Sequence, residues 1–572
     1  MYSQIATALS LPLRRSETRE FKRLPRQDST NTSQPIIDAE LSSYIQQVLD
    51  LNNVTGVSLA IILPTGEVQY AAWGNSTEDG KPVASDTVFA LGSLSKGFLS
   101  ASLGILMQDF ADGKNTTALP STVTDFAWST KIRDLLPEEW KTSVPWSTEQ
   151  ADLRDLLAHV TGFPSHEYSY TADESARDIV VRMRDLRTGY EFRQYWEYCN
   201  QMYITASYVV SKYSGMSYRD FVEKRIMLPL NMTSSTMHPD RANATGTMSQ
   251  NWSPLGRGGR IIPFFLEESK ADLIAGAGGV MSTAEDMALW VKLFLNGGVN
   301  VQTNVTIVPQ TTFTLATSGI AVANSTGTEL YSVPAYGTGW LRYSYRGREV
   351  VLHNGGAPGV STWAKWYPHD GFGIVLLANV AVDAVTELVT FAVEDRLLGI
   401  NNITTGPPVA FPQVSLPPAP QNATTAPGLP GTYANVRSGN LTLCSPMLPT
   451  TGACAEVVED FKMVDAAAGR PPQLTELYAA WPRWWSTHLR LSPVSENTYV
   501  ATALNMYING YGDNRGPFVD PLDEWEVTFM VNNGKVEGLG FTGVAQKETW
   551  RQLKFGPGGS IRDTADSWFD KL

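Results

Sequence analysis

FALGSLSKGF, residues 89–98, decides how the rest of the chain is read. Ser93 stands three residues before Lys96 inside an otherwise apolar block. Serine is a weak nucleophile, and a lysine among apolar side chains loses the solvation that its charge needs. The helical pattern runs on to Asp112, with Gly113 as a stop, so a helix is predicted from Ser93 to Asp112. On a helix, positions i and i+3 share a face, and the free N–H groups near its N-terminus favour a developing oxyanion. Burial lowers a lysine pKa from its reference of ~10.4, and a neutral lysine accepts a serine proton. A solvated or capping pair has the same spacing, so context must choose. This is the only Ser-x-x-Lys in the chain.

Two further blocks supply that context. Tyr198-Cys199-Asn200 opens EYCNQMYITASYVVSKYSG and immediately precedes an apolar helix. A tyrosine there can share a proton with Lys96, and an asparagine can hold the lysine or a substrate carbonyl. Tyr-x-Asn recurs at Tyr433 and Tyr507, so the tripeptide alone is unspecific. His353-Asn354-Gly355-Gly356 follows the strand EVVL; its glycines let the backbone approach a ligand, and the Gly356 N–H can complete an oxyanion hole. A second His-x-Gly, at His369, falls in a turn between strands and is read as structural. No histidine pair has metal-ligand spacing, so neither a metal nor another cofactor is expected.

The strands around these blocks give the fold class. GVSLAIILPTGEVQYAAWG reads as a hairpin closing at Pro64-Thr65-Gly66. REVVLHNGG, GVSTWAKWYP and FGIVLLANV are three consecutive strands, and AVTELVTFAVEDRLLG is a closing helix. Strands at both ends with helices between them predict an α+β fold, an antiparallel sheet flanked by helices. Residues 1–35 are a polar, basic arm, 36–403 the main domain, 404–431 a linker rich in proline, and 432–572 a small β-rich domain. In the last, Asn-Asn-Gly within EWEVTFMVNNGKVEGLGF is a hairpin signal. AAWPRWWSTHLRL, residues 479–491, is aromatic enough for a pocket wall or a core, and packing is the reading preferred.

At 572 residues, with 43% hydrophobic and 18% charged residues, the chain has the composition of a soluble multidomain protein. A net charge of -13 argues against nucleic acid as a partner. No apolar run is long enough to span a bilayer. Of three cysteines, Cys444 and Cys454 flank a short Pro/Gly loop and could pair, with spacing leaving the question open. Twelve N-x-S/T sequons favour a secreted glycoprotein, whereas the first residues lack the apolar core of a signal peptide, which keeps a cytoplasmic or organellar location open.

Together with LRDLLAHVTGFP (153–164) and AGAGGVMSTAEDMALW (275–290), these blocks resemble, in order, the β-lactamase-related serine hydrolases. That family groups class C β-lactamases, low-molecular-weight penicillin-binding proteins, esterases and D-aminopeptidases. The resemblance covers roughly residues 40 to 400, and the tail resembles the extra domain of fungal members. It implies an acyl-enzyme on Ser93, activated by Lys96 and Tyr198, with Asn200 orienting the lysine and substrate. The N–H groups of Ser93 and Gly356 would bind the oxyanion, and His353 and Gly355 would line the substrate. Members that recognise penicillin carry Lys-Thr-Gly where this chain has His353, so a small ester or amide is expected rather than a β-lactam. Acyl transfer to an alcohol and a non-catalytic binding protein are the alternatives. LLAHVTGFP is read as a structural turn, and the oligomeric state is left open.

Overall fold

A computed structural model of the protein describes residues 35–254, 259–400, 410, 428–449, 451–471, 473–544 and 559–572. Most of the arm expected over 1–35 and of the linker expected over 404–431 lies outside the described residues. By its internal contacts the chain divides into two compact units. One joins Met1–Thr130 to Ala206–Gln413, and the other joins Lys131–Thr205 to Val414–Leu572.

In the first unit, eight strands form one antiparallel sheet: β1 (Gly56–Ile62), β2 (Val68–Gly74), β3 (Ala321–Val322), β4 (Ala335–Tyr336), β5 (Leu341–Tyr345), β6 (Arg348–Ala357), β7 (Val360–Tyr367) and β8 (Phe372–Ala378). Their order is β2-β1-β8-β7-β6-β5-β4-β3. The hairpin at Pro64-Thr65-Gly66 forms as expected, with Gly66 at φ +86°. β1, β7 and β8 are buried along their whole length, because helices cover the sheet on both faces. Of four helices in this unit, α1 (Ala39–Leu51), α2 (Ser95–Ala111), α3 (Ala284–Leu295) and α4 (Asp383–Leu397), the last two lie on the sheet. α4 lies on β7 and β8 with α1 against it, and α3 lies on β1, β7 and β8. α2 presents apolar or small residues on nearly every side and is buried on nearly every side.

Alternation along β7 sends neighbouring residues to opposite faces. Trp366 joins Phe294 and Trp340 in an aromatic layer on the α3 side, with ring centroids 5.0 and 4.5 Å away. Lys365 points to α4, where its wholly buried ammonium meets Glu394 at 2.7 Å and Thr390 at 2.7 Å. Glu387, two turns before Glu394 on α4, is buried, and its Oε2 has no hydrogen-bond partner among the described residues. One cation cannot neutralise two carboxylates in a medium of low dielectric, and burial pushes Glu387 up to about 8.

The second unit contains an eight-stranded antiparallel sheet: β9 (Gly431–Asn435), β10 (Gly439–Leu443), β11 (Leu477–Ala480), β12 (His488–Pro493), β13 (Thr498–Tyr507), β14 (Phe518–Asn532), β15 (Lys535–Thr542) and β16 (Ser567–Lys571). The order is β10-β9-β16-β15-β14-β13-β12-β11, and reciprocal backbone bonds of 2.8 and 2.9 Å between Cys444 and Tyr478 close it into a barrel-like shape. Asn533 and Gly534 both take positive φ in the hairpin between β14 and β15, as that turn chemistry requires. A helix, α5 (Ala453–Ala467), packs Val457, Val458, Phe461 and Val464 onto this sheet. The β-rich reading of the tail did not anticipate it. A disulfide joins Cys444 to Cys454, tying the end of β10 to the start of α5, while Cys199 is a buried thiol.

Among the sequons, Asn75, Asn115, Asn231, Asn243, Asn304 and Asn440 are exposed. Asn251 is buried and its amide donates to Pro358 O, so that sequon is closed to a glycan in the folded chain.

Glu387 has a folded pKa above its unfolded value, so the stability it contributes is full below about 4.5 and is lost as pH rises toward 8. Urea unfolding of wild type and Glu387→Gln at pH 5 and pH 8 tests this. Wild type should lose stability relative to the variant on raising the pH, by up to about 1.4 kcal/mol per pH unit. Parallel profiles would show that Glu387 does not hold the proton.

Candidate active site

Ser93 does not lie in the α-helix itself. It occupies a single 3-10 turn, Gly92–Leu94, that leads directly into α2, and it is half-buried. The turn is fixed from three directions. Leu91 N–H donates to Val280 O at 2.8 Å, and Val280 N–H donates to Ser95 Oγ at 3.0 Å. The two-residue strands Phe89–Ala90 and Met281–Ser282 pair beside it. Thr362 of β7 donates its hydroxyl to Leu91 O at 2.8 Å.

Lys96, in the first turn of α2, is wholly buried. Its Nζ donates to Ser93 Oγ at 3.0 Å and to Ala277 O at 2.8 Å. The i, i+3 geometry expected from the sequence therefore exists, and the proton can lie on either partner of the Ser93–Lys96 bond. The block at 275–290 contributes a backbone carbonyl here, which its side chains gave no means of foreseeing.

Glycine brings β6 against this turn. A Cβ on Gly355 would lie 1.9 Å from Leu91 O, and one on Gly92, at φ +53°, would lie 2.9 Å from Gly356 N. Only glycine allows the backbones to approach so closely. The Gly356 amide is thereby set beside the residue that precedes Ser93. Trp340 packs on Gly97 in the next turn, where a Cβ would lie 2.7 Å from the indole.

His353 on β6 is wholly buried. Asn354 O can only accept, so His353 donates to it from Nδ1 at 2.5 Å, and Nε2 then accepts from the Tyr336 hydroxyl at 3.0 Å. Burial first, and the Lys96 charge second, hold the imidazole down to about 3. The His353 side chain, expected from the sequence to bind or orient substrate, is turned into the sheet, and both ring nitrogens are engaged there. The next residue, Asn354, donates to Asp383 at 3.4 Å, and Ser361 donates to the same carboxylate at 2.5 Å. His369, read as a turn residue, is exposed and lies 2.7 Å from Glu349.

Ser93, Lys96, His353, Gly355 and Gly356 thus belong to the first unit, and Tyr198 and Asn200 to the second. Tyr198 is buried, with its ring centroid 4.4 Å from that of His159. His159 has φ +58° and accepts the Cys199 N–H at Nδ1, 3.1 Å away, while its carbonyl accepts from Glu197 N–H at 2.9 Å. LLAHVTGFP is a turn, as expected, but one that grips both sides of Tyr198. Asn200 begins the helix Asn200–Ser214, and its Nδ2 donates to Glu167 at 3.2 Å. Glu167 carries no motif or spacing that would have marked it from sequence. Among the described residues, no group of three or more His, Cys, Asp or Glu side chains is arranged to hold a metal, and no helix is long and apolar enough to cross a membrane.

A family model described as Beta-lactamase matches residues 41–394. An unguisins hydrolase of Aspergillus campestris is 28% identical over 383 residues, covering 64% of this chain and 67% of its own length. Penicillin-binding protein 4* of Bacillus subtilis is 25% identical over 338 residues, covering 56% of this chain and 66% of its own. The octameric penicillin-binding protein homologue from Pyrococcus abyssi has a TM-score of 0.53 at 18% identity, over 88% of this chain and 98% of its own, a likeness of fold. The chain spans about two thirds of the length of the curated relatives it matches.

Gly355→Ala should separate β6 from the serine turn while the remainder of the sheet stays folded. Labelling of Ser93 by a fluorophosphonate probe is expected to slow about 100-fold, the penalty for misplacing reacting groups by about 1 Å. Unchanged labelling in a protein of unchanged melting temperature would show that this close approach does not position Ser93.

Proposed function

The chain belongs to the beta-lactamase family of serine hydrolases, and on that premise we propose that it cleaves an ester or amide bond of a small molecule through an acyl-enzyme on Ser93. One observation carries the reading: a lysine wholly removed from water, with its Nζ 3.0 Å from the serine hydroxyl. In the proposed reaction neutral Lys96 takes the proton as Ser93 Oγ bonds to the substrate carbonyl carbon. The N–H groups of Ser93 and Gly356 receive the oxyanion, the proton passes to the leaving alcohol or amine, and water then releases the acid. Tyr198 and Asn200 take the roles of the family's second motif, proton exchange and orientation.

The neutral, buried His353 supports a substrate other than a β-lactam, because it offers no cation to a substrate carboxylate. An unguisin-type compound is the first natural substrate to try, after the name of the Aspergillus campestris relative.

Intact mass after exposure to an activated acyl ester tests the proposal on wild type, Ser93→Ala and Lys96→Ala. Wild type should gain one acyl group and Ser93→Ala none, with Lys96→Ala acylating about 100- to 10,000-fold more slowly. Equal labelling of Ser93→Ala would remove the nucleophile. Offering the trapped adduct water or an alcohol separates hydrolysis from acyl transfer.

A further inference from the structure

The proposed reaction gives the C-terminal residues nothing to do, yet one buried carboxylate connects them to the second motif. Glu167 begins a 3-10 turn, Glu167–Ser169, and is 4% exposed. Its two oxygens face different parts of the second unit. Oε1 accepts from Ser165 Oγ and from Asn200 Nδ2, the latter at 3.2 Å. Oε2 accepts from the Tyr170 hydroxyl at 2.6 Å and from Trp485 Nε1 at 2.6 Å. Ser165 Oγ in turn accepts the Asn200 backbone N–H at 3.0 Å, so side chain and backbone of Asn200 both lead to this carboxylate.

The chemistry of the pair fixes an orientation. The two ends of an asparagine amide are nearly isosteric, and only its surroundings decide which way it points. Glu167 Oε1 is the acceptor of the pair, so it is the NH2 end of Asn200 that faces Glu167. The other end, Oδ1, is buried and accepts no hydrogen bond among the described residues. Glu167 therefore holds the amide with its acceptor turned away from itself and unspent.

Trp485 belongs to the aromatic segment 479–491, and its neighbours show how it differs from core packing. Trp481 is wholly buried against Phe541 and Phe569. Trp485 instead directs its indole N–H at Glu167, while the backbone N–H of Trp484 donates to Tyr170 O at 3.1 Å. The contact continues at Tyr168, whose hydroxyl donates to Asp523 at 2.7 Å, and at Arg187, which donates to Ala565 O at 2.8 Å.

We propose that Glu167, held from its second oxygen by Trp485, is the positioning residue for Asn200. The C-terminal residues thereby set the orientation of the second motif without touching substrate. The inference rests on the hydrolase reading for its effect on turnover, but not for its geometry.

The test is a double-mutant cycle on the full chain: wild type, Trp485→Phe, Asn200→Ala and the double variant, with p-nitrophenyl butyrate as substrate. Trp485→Phe keeps an aromatic ring and removes the donor. It should lower kcat about tenfold with KM changed less than about twofold, the signature of a group felt in the transition state. In the Asn200→Ala background the same change should alter kcat less than about twofold, because the residue it positions is gone. Equal losses in both backgrounds, or no loss in either, would overturn the proposal. Should Trp485→Phe fail to fold, Glu167→Gln enters the cycle in its place; its amide nitrogen accepts no hydrogen bond, so either the Ser165 and Asn200 donors or the Tyr170 and Trp485 donors lose their acceptor, and the same pattern is expected. If wild type shows no turnover that depends on Ser93, the hydrolase reading fails instead. A crystal structure of Trp485→Phe then decides the positioning alone: a turned Asn200 amide supports it, and an unmoved one overturns it.

Discussion

A lysine held entirely out of water beside a serine hydroxyl is the constraint to which the first unit is built. Burial takes water away from the lysine nitrogen, and the fold supplies two partners in its place, Ser93 Oγ and Ala277 O. Reaching both requires the serine turn, the start of α2 and the segment around Ala277 to meet at one place. Hydrogen bonds from Leu91, Val280 and Thr362 tie those pieces together, and each ends on backbone or on a small hydroxyl. α2 carries the lysine through the interior and accordingly is apolar or small nearly all round.

The sheet answers the same demand from the other side. Its central strands are buried on both faces, so they bear no alternating pattern, and their polar residues are there for definite partners. Lys365 meets Glu394, His353 meets Tyr336, and Asn354 and Ser361 meet Asp383. Such satisfied polar networks fix one register, because sliding a strand by one residue would bury every one of these groups unpaired. Glycines at 92 and 355 then let the sheet backbone press on the serine turn where any side chain would hold it off.

The second unit applies a comparable logic to Tyr198 and Asn200. Residues 131–205 contain mostly short helices and turns, and little regular structure of their own holds them. They are held by His159 around Tyr198, by Glu167 at Asn200, and by contacts from residues beyond 480. A motif on irregular backbone needs such anchors, since loops positioned by nothing else are mobile.

The strands around His353, the hairpin at Gly66, the closing helix and the pairing of Ser93 with Lys96 were all legible in the sequence, because each depends on local periodicity, turn residues or fixed spacing. α5 was not, although its apolar spacing is helical, because a run of strands on either side led the reading; nor were His159 and Glu167 as anchors, because neither lies at a set distance along the chain from the residue it holds. The orientation of His353 also waited on the fold. A sequence says that a histidine, mostly neutral at pH 7, replaces a lysine, but only the strand register that buries its ring between Tyr336 and the Asn354 carbonyl holds its pKa down to about 3 and makes it inaccessible. What the sequence determined by itself is the chemistry that neighbours along the chain can create. What the tertiary structure decided is the chemistry made by groups far apart in sequence, since hydrogen bonds and desolvation act through space over a few ångströms.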